Sequence, residues 1–274
     1  MRTTRTETYL SYTMLTLMAI VVMVPFVTIV FTAFQPSNSP VSGLALPSTW
    51  SWGNFAEAWT TAGFGRLIGN GLLIAVGVVP LSVALATLAG YALGTMRLPG
   101  AGVVFTLFLL GLTLPIELIV IPLYFDLRAV GLTNSYWGVI LAESAVFMPF
   151  GVFWMRAHFL STPRSLLEAA EIDGATTLRT LWSVLMPLAR APMSTLAVLY
   201  FMWSWNQFLL VLVLIQNPAK RTATAGLGFF VGQYSTNVPL LAAGTIIVLL
   251  PICIMYLAFQ RQFIRGMMQG AFKG

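Results

Sequence analysis

The chain has 274 residues, of which 58% are hydrophobic and only 8% are charged, against roughly 45–50% and 25% in ordinary soluble domains. A single water-surrounded globule is therefore excluded, and lipid is the expected solvent for most of the chain. The net charge of +6 is attributed to an excess of Lys and Arg in the segments on the cytoplasmic side of the membrane, so it gives no reason to expect a nucleic-acid partner.

Long stretches without charged residues alternate with short charged segments, and each long stretch holds the roughly 20 apolar residues that a bilayer crossing needs. We therefore predict an all-α, polytopic membrane protein. Its first apolar stretch is far longer than the core of a signal peptide and lacks a clear cleavage site, so we interpret it as an anchor. The six predicted spans are Tyr9–Phe34, Ile68–Thr95, Gly102–Phe125, Tyr136–Met155, Met193–Ile215 and Leu240–Phe259.

The predicted organisation has three parts. Residues 1–67 form an anchor span and an outer loop, residues 68–265 form the main transmembrane domain with a long loop at 161–192, and residues 266–274 form a tail. Small residues in the second span predict close helix packing rather than a ligand site. They are Gly69, Gly71, Gly77, Gly90 and Gly94.

The distribution of Lys and Arg predicts the orientation. With the N-terminus inside, ten of the fourteen basic residues fall on the cytoplasmic side and four fall outside. Cytoplasmic loops carry this excess, so both termini are predicted to be cytoplasmic. The inner set is Arg2, Arg5, Arg97, Arg156, Arg164, Arg179, Arg190, Arg261, Arg265 and Lys273, and the outer set is Arg66, Arg128, Lys220 and Arg221.

Two acids, Glu117 and Glu143, lie within predicted spans. A charged side chain at the bilayer centre costs about 2.5–3.5 kcal/mol on insertion scales, so neither is expected to face lipid. Both fall in the outer half of the membrane and fit one water-filled vestibule on a solute path. The alternative is that each hydrogen-bonds to a neighbouring helix or subunit. Pro115 and Pro122 favour an irregular helix around Glu117, which suits a cavity wall.

The loop at 161–192 carries much of the chain's charge and is predicted to form two short helices. Thr162 is a candidate cap, Pro163 suits the first helical position, and Gly174 supplies the permissive backbone that ends the first helix. The low patch at Ala169 and Ala170 is flanked by the charges of Glu168 and Asp173. A loop of this length with capped helices indicates a surface offered to a soluble partner.

The second loop helix is expected to begin after Thr176 or Thr177 and to close at Pro187 and Pro192. Its apolar positions repeat at three- and four-residue spacing, which predicts that it lies against the inner membrane face rather than crossing it. These positions are Leu178, Leu181, Trp182 and Leu185.

Asn206 and Gln207 lie deep in the fifth predicted span, beside Trp203 and Trp205. Amides suit the hydroxyls of a sugar, and an aromatic ring suits its apolar face, so Trp205, Asn206 and Gln207 are predicted to line a solute path. The alternative is that the amides join neighbouring helices.

Several catalytic patterns are absent from the sequence. No stretch reads G-x-x-x-x-G-K followed by Ser or Thr, so this chain is not expected to bind ATP or another cofactor. The lone His158 and the lone Cys253 provide no metal cluster and no internal disulfide. An enzyme is therefore not expected.

The segments Glu168-Ala169-Ala170, Asp173-Gly174-Ala175 and Pro187-Leu188 resemble the EAA loop of the membrane subunits of ATP-binding-cassette importers. Further stretches, which extend the resemblance from about Asn70 to the C-terminus, are similar to the carbohydrate-importing branch, at the position of the maltose permease's smaller subunit. They are Ile121-Pro122-Leu123-Tyr124, Gly131-Leu132, Asn134-Ser135-Tyr136-Trp137-Gly138, Trp205-Asn206-Gln207-Phe208 and the tail from Gln260 to Gly274.

The resemblance implies a permease in a prokaryotic cell membrane that forms half of a translocation pathway for a sugar or related polar solute. A homologous second permease would complete a heterodimer, and an extracytoplasmic solute-binding protein would deliver the solute. A cytoplasmic ATPase dimer, which holds ATP and Mg²⁺, would grip Glu168, Ala169, Ala170, Asp173 and Gly174. Trp182 departs from the Phe or Ile that is common in this family.

Other functions stay open at this stage. The solute could be a glycerol-phosphate derivative, an amino sugar or a peptide. A channel or an ATP-independent carrier would need its own gating or coupling charges, and a membrane enzyme would need a catalytic cluster that the scattered acids do not form.

Overall fold

Helices make up the architecture of this computed structural model, which describes residues 5–37, 44–232 and 236–271, with side chains to residue 261. Within these ranges there is no β-strand, only an isolated bridge between Val231 and Thr236, so the all-α prediction is confirmed. The helices are α1 Arg5–Ala33, α2 Gly53–Ala62, α3 Phe64–Thr95, α4 Ala101–Thr113, α5 Ile116–Ala129, α6 Tyr136–Leu160, α7 Arg164–Ile172, α8 Thr177–Asn206, α9 Leu209–Leu214, α10 Ala223–Gly226 and α11 Val238–Ala271.

Five of these helices are long and apolar enough to cross a membrane, namely α1, α3, α6, α8 and α11. The pair α4 and α5 provides a sixth crossing if it is counted as one broken span, which agrees with the predicted number. The continuous span predicted over Gly102–Phe125 is wrong, because the two helices meet at an angle of 106°. Pro115 excludes Leu114 from helical backbone, and Leu114 is extended, with φ −78° and ψ 118°.

The fifth predicted span also needs correction. The second loop helix and the following span form one helix, α8, so Pro187 and Pro192 do not close a separate helix. A π-helical turn at Thr180–Leu185 precedes Pro187 and changes the hydrogen-bond register there. The span ends at Asn206 rather than Ile215, and the chain resumes as α9 after Gln207 and Phe208.

The chain divides into two compact units, the first comprising Met1–Gly65 with Gly226–Leu250. In this unit the Asn54 amide donates to the carbonyl oxygens of Ala33 and Gln35, each at 2.8 Å. Phe34 makes ring contacts with Trp50 and Trp52 at centroid distances of 5.0 and 4.6 Å. The end of α1 is therefore tied to the loop that follows it.

The second unit comprises Arg66–Ala225 with Pro251–Gly274, and glycines of α3 allow its helices to approach closely. A Cβ at Gly90 would lie 2.6 Å from the Met155 Cβ, and one at Gly77 would lie 2.6 Å from the Ile140 Cδ1. Gly94 faces Phe159 and Gly71 faces Trp205 in the same way. The packing role is thus confirmed at four glycines and is wrong for Gly69, which has open space around it.

Arg156 joins three helices of the second unit. It projects from α6, donates from Nε to the Leu93 carbonyl of α3 at 3.1 Å, and lies 3.9 Å from the centroid of the Phe105 ring on α4. A charge-assisted hydrogen bond and a cation–π contact both stabilise this arrangement, because the site is partly shielded from water.

We expect Arg156→Met to destabilise the folded chain by about 2 kcal/mol, since it removes both contacts and keeps the aliphatic bulk. Thermal unfolding of the purified protein in detergent would show a lower melting temperature. Arg179→Met, which removes an exposed cation from α8, is the control and should leave the melting temperature unchanged. An unchanged value for Arg156→Met would contradict the assigned contacts.

Candidate functional site

The corner between α7 and α8, which we define as residues Ile172–Thr177, is built around Gly174. Gly174 has φ +70°, its N–H donates to the Glu171 carbonyl at 3.0 Å, and the Ala175 N–H donates to the Ala170 carbonyl at 2.9 Å. These two bonds form a Schellman motif, for which the left-handed residue is normally glycine. The prediction that Gly174 ends the first loop helix is confirmed.

The two predicted caps of this loop differ in outcome. The Thr176 hydroxyl accepts a 3.4 Å hydrogen bond from the Arg179 N–H and caps α8. Thr162 does not cap α7, since the N-cap residue is Pro163 and no side chain bonds the first turn. Pro163 has φ −56° and ψ 130°, so it lies outside the helix, which begins at Arg164, and the prediction that it takes the first helical position is wrong by one residue.

The residues that match the EAA motif lie mostly on the exposed side of this corner. Glu168, Ala169, Asp173 and Gly174 are exposed, whereas Ala170 is buried with 6% of its surface accessible. Ala170 therefore contributes to packing, and the low surface patch is formed by Ala169 alone. The four apolar positions that were predicted for the second loop helix now lie in α8. Leu181 and Leu185 are buried, whereas Leu178 and Trp182 are exposed.

A polar cleft of about 870 Å³ lies beside the corner. Arg97, Arg164, Glu168 and Glu171 line it, together with several threonines and the end of α6. Basic and acidic side chains therefore face the same open space at the end of the transmembrane helices. Such a surface suits a partner protein that carries charges of both signs.

A second space, which we call the central cavity, has a volume of about 640 Å³ and lies among α4, α5, α6 and α8. Both helix breaks of the second unit border it, with Leu114 and Ile116 on one side and Asn206 and Gln207 on the other. Non-helical backbone at membrane depth is tolerated where it is buried in protein or lines a cavity. The two breaks thus mark this cavity as a candidate ligand site.

Hydrogen bonds hold the break at Gln207 in place. The Gln207 N–H donates to the Ser204 carbonyl at 3.2 Å, and its side-chain Oε1 accepts from the Leu210 N–H at 3.4 Å. The Asn206 amide donates to the Met202 carbonyl at 2.8 Å. Each amide retains hydrogen-bonding capacity for a ligand, and the Trp203 ring forms an adjacent part of the wall.

Glu143 lies on α6 between two residues that line the central cavity, Ala142 and Val146, but its own side chain is fully buried. Neither carboxyl oxygen has a hydrogen-bond partner among the described residues. The Ser204 side chain is close to it, although the two do not meet the geometry of a hydrogen bond. A buried carboxyl group without a partner is costly, so its presence needs a reason.

The remaining predicted path residues are not brought together. Glu117 is exposed in the first turn of α5 and does not line the central cavity. Trp205 is buried, stacks on Phe201 at a centroid distance of 6.0 Å and covers Gly71. Asn206 and Gln207 line the cavity as a pair, whereas Glu143 is not a lining residue, although its neighbour Ala142 is.

A comparison of the sequence with known protein families shows which family the chain belongs to. Residues 82–269 match the family described as the binding-protein-dependent transport system inner membrane component. The chain belongs to this family. It is therefore a multi-pass membrane permease and a transport protein rather than an enzyme, as predicted.

Members of this family resemble the chain over nearly its whole length. A diacetylchitobiose uptake permease of Streptomyces coelicolor is 32% identical over 267 residues, covering 96% of this chain and 88% of the relative. An arabinooligosaccharide transport permease of Halalkalibacterium halodurans is 33% identical, covering 93% of each chain. The crystal structure of a bacterial transporter that imports the polysaccharide alginate shares the fold, with a TM-score of 0.80, 20% identity and coverage of 96% and 99%.

The structure adds residues that the sequence interpretation missed. Trp203, rather than Trp205, contributes to the cavity wall. At the corner, Ile172 has 86% of its surface exposed, one turn after Glu168 on the same face of α7. The sequence signal for Ile172 was a large apolar residue at the end of a charged helix, since exposure of such a residue is typical of a contact surface.

Among the described residues, no group of three metal-ligating side chains comes together.

Proposed function

We propose that this permease belongs to an ATP-driven importer and forms half of the translocation pathway for a sugar or related polar solute. The single observation that carries the proposal is the central cavity, which both helix breaks border. Its volume of about 640 Å³ lies within the roughly 300–1,000 Å³ of small-molecule sites. Diacetylchitobiose and arabinooligosaccharides are named as the solutes of two relatives, which supports a carbohydrate.

The chemistry of the cavity wall also supports a neutral, hydroxyl-bearing solute. Two amides and one indole face an otherwise apolar surface, and no described residue of the lining is charged. A phosphate-bearing solute would require cations, so the glycerol-phosphate alternative is disfavoured. Sugar hydroxyls need donors and acceptors, which Asn206 and Gln207 both provide.

Coupling to ATP hydrolysis is proposed to enter through the corner at Ile172–Thr177. Asp173 and Gly174 present polar and small surfaces there, and Ile172 adds an apolar contact. Glu168 and Ala169 extend this exposed surface along α7, which the buried Ala170 anchors to the helices behind it. Because α8 runs unbroken from Thr177 to Asn206, a displacement of the corner would be transmitted to the cavity wall. Movement of α8 as a rigid helix would in this way couple the corner to alternating access of the cavity.

The proposed partners follow from this arrangement. A cytoplasmic ATPase dimer that holds ATP and Mg²⁺ would bind the corner, a homologous permease would form the other half of the pathway, and an extracytoplasmic binding protein would deliver the solute. A related alginate transporter has been crystallised with its sugar-bound periplasmic protein. Co-purification from native prokaryotic membranes should recover all three components, and recovery of the chain without an ATPase would contradict the proposal.

We expect Asn206→Leu and Gln207→Leu each to raise the apparent KM for uptake. Each lost solute hydrogen bond is worth about 0.5–1.5 kcal/mol, or about two- to twelvefold in affinity. Uptake of a labelled oligosaccharide into proteoliposomes that contain the whole transporter is the measurement. Gln216→Leu removes an exposed amide that bonds Tyr124 outside the cavity and should leave KM unchanged. An equal effect of all three variants would exclude a specific role for the cavity amides.

A further inference from the structure

One face of α8 carries a cation within an apolar surface. Trp182, Met186, Arg190, Met193 and Ala197 follow one another at spacings of three or four residues, so they lie on one side of the helix. Arg190 is the only charged residue of α8 after Arg179. A cation in such surroundings is expected to find an anionic partner or to extend its side chain toward water.

An apolar cavity of about 430 Å³ lies between this face and α3. Val79, Val83 and Leu88 of α3 form one wall, and Leu181, Met186 and Ala197 are among the residues of the other. The Thr87 hydroxyl, which also borders the cavity, donates to the Val83 carbonyl at 2.6 Å, so its hydrogen is already used. The cavity therefore suits a hydrocarbon chain and offers little to a polar ligand.

A second cavity of about 450 Å³ adjoins the first and contains Arg190. The two cavities share Trp182, Met186 and Met193 as lining residues. Arg190 is exposed, and its side chain has no hydrogen-bond or ion-pair partner among the described residues. Together, the cavities form a groove, which we call the α3–α8 groove, with an apolar end and a cationic end.

We propose that the α3–α8 groove binds an anionic phospholipid, with one acyl chain in the apolar cavity and the phosphate on Arg190. The charge of Arg190 decides between occupants. An apolar helix of another subunit would leave this cation without a counter-charge, and the phosphate of a zwitterionic lipid is already paired with the ammonium group of its own headgroup, whereas an anionic lipid brings a net negative charge. A phosphate accepts bidentate hydrogen bonds from a guanidinium, which a lysine at this position would reproduce only in charge. This site is separate from the central cavity and does not depend on the proposed solute.

Trp182 reports on this site because its side chain has 60% of its surface exposed and borders both cavities. Phosphatidylglycerol and phosphatidylcholine with brominated acyl chains, which quench tryptophan fluorescence on contact, would be titrated into the detergent-solubilised transporter. The difference between wild type and Trp182→Phe isolates the signal of this residue. The difference in quenching between wild type and Trp137→Phe is the control. It isolates the signal of Trp137, which is 65% exposed but lies outside the groove.

We expect the brominated anionic lipid to quench Trp182 at about fivefold lower concentration than the zwitterionic lipid, which is the effect of one cation near an anionic headgroup. Arg190→Gln should abolish this preference, and Arg190→Lys should retain part of it. Arg179→Gln removes a cation from the same helix outside both cavities and should change nothing. Trp137 should show no comparable preference.

Three results would overturn the proposal. Trp182 could escape quenching, as it would if another subunit covers the groove. Both lipids could quench it equally, which would make the groove an unspecific lipid contact. The preference could also survive in Arg190→Gln. If that variant does not fold, the wild-type preference must weaken as salt rises, because exposed charge interactions are screened; a preference that is insensitive to salt would exclude the assigned pairing.

Discussion

A Gly174→Val transporter is expected to hydrolyse ATP without importing solute. Gly174 adopts φ +70°, and no other atom lies within 4 Å of the point that a Cβ would occupy, so valine would meet backbone strain rather than a steric clash. A β-branched residue at positive φ is a genuine outlier, and even an unbranched one costs roughly 1–2 kcal/mol there. The Schellman motif would open, and the angle between α7 and α8 would change.

Proteoliposomes that contain the whole transporter allow ATP hydrolysis and uptake to be measured together. We expect uptake to fall by at least about tenfold, which corresponds to about 1.4 kcal/mol of lost coupling, while hydrolysis continues. Asparagine is tolerated at positive φ, so Gly174→Asn should recover much of the uptake.

Gly63 provides a matched control for the strain itself. It ends α2 with φ +66° and also has open space around it, but it lies far along the chain from the corner. Gly63→Val should reduce the amount of folded protein without changing the number of solute molecules imported per ATP. Normal uptake by Gly174→Val, or an equal loss of coupling in both variants, would contradict the role of the corner.

Much of the fold could be predicted because lipid imposes strict conditions on sequence. Each crossing requires a long apolar stretch, and a charged side chain in it is costly, so the charge-free stretches locate the helices. Gly174 was predictable for a similarly local reason, since a helix C-terminus often needs a left-handed residue. Both features depend on neighbouring residues alone.

The interpretation of Pro187 and Pro192 was wrong because rules learned from soluble helices were applied to a membrane helix. In water, a backbone carbonyl that is freed by proline can bond to solvent. In lipid, the chain gains nothing by unwinding, and a local change of register, such as the π-helical turn at Thr180–Leu185, accommodates the proline instead. At Pro115 the outcome was different, because the break there borders a cavity.

The site could be predicted only in part. Amides within an apolar span stood out, and Asn206 and Gln207 do line the central cavity. The sequence could not show that Trp203, rather than Trp205, lines the cavity. Residues two positions apart on a helix face different neighbours, and the sequence does not show which face of the helix meets the cavity. Likewise, the bend of 106° between α4 and α5 decides where Glu117 points.

Glu143→Leu is expected to make the protein more stable and the transporter less active. The carboxyl group is fully buried, and neither oxygen has a partner among the described residues, so its removal should recover about 1–3 kcal/mol of desolvation cost. Thermal unfolding in detergent measures this gain. A buried group that lowers stability is typical of functional positions, where activity and stability oppose each other.

The expected loss of transport follows from the position of Glu143 next to Ala142, which lines the central cavity, and close to Ser204, whose carbonyl oxygen accepts the N–H of Gln207. When α6 and α8 move during alternating access, the carboxyl group would reach the pathway and bond to the solute or to water. A charge-assisted bond to a sugar hydroxyl is worth about 1.5–3 kcal/mol, so uptake should fall about 12- to 160-fold.

Ser144→Ala is the matched control, because the Ser144 hydroxyl is also buried without a partner on the same helix, within the part of the chain that the structure describes. It should raise stability slightly and leave uptake unchanged, since a neutral hydroxyl cannot form the charge-assisted bond that is expected of the Glu143 carboxyl group. If Glu143→Leu is stabilised but transports normally, Glu143 has no part in the pathway. If the Glu143→Leu variant is destabilised, the carboxyl group bonds to a neighbouring subunit. Glu143 then belongs to the interface between the two permeases rather than to the solute path.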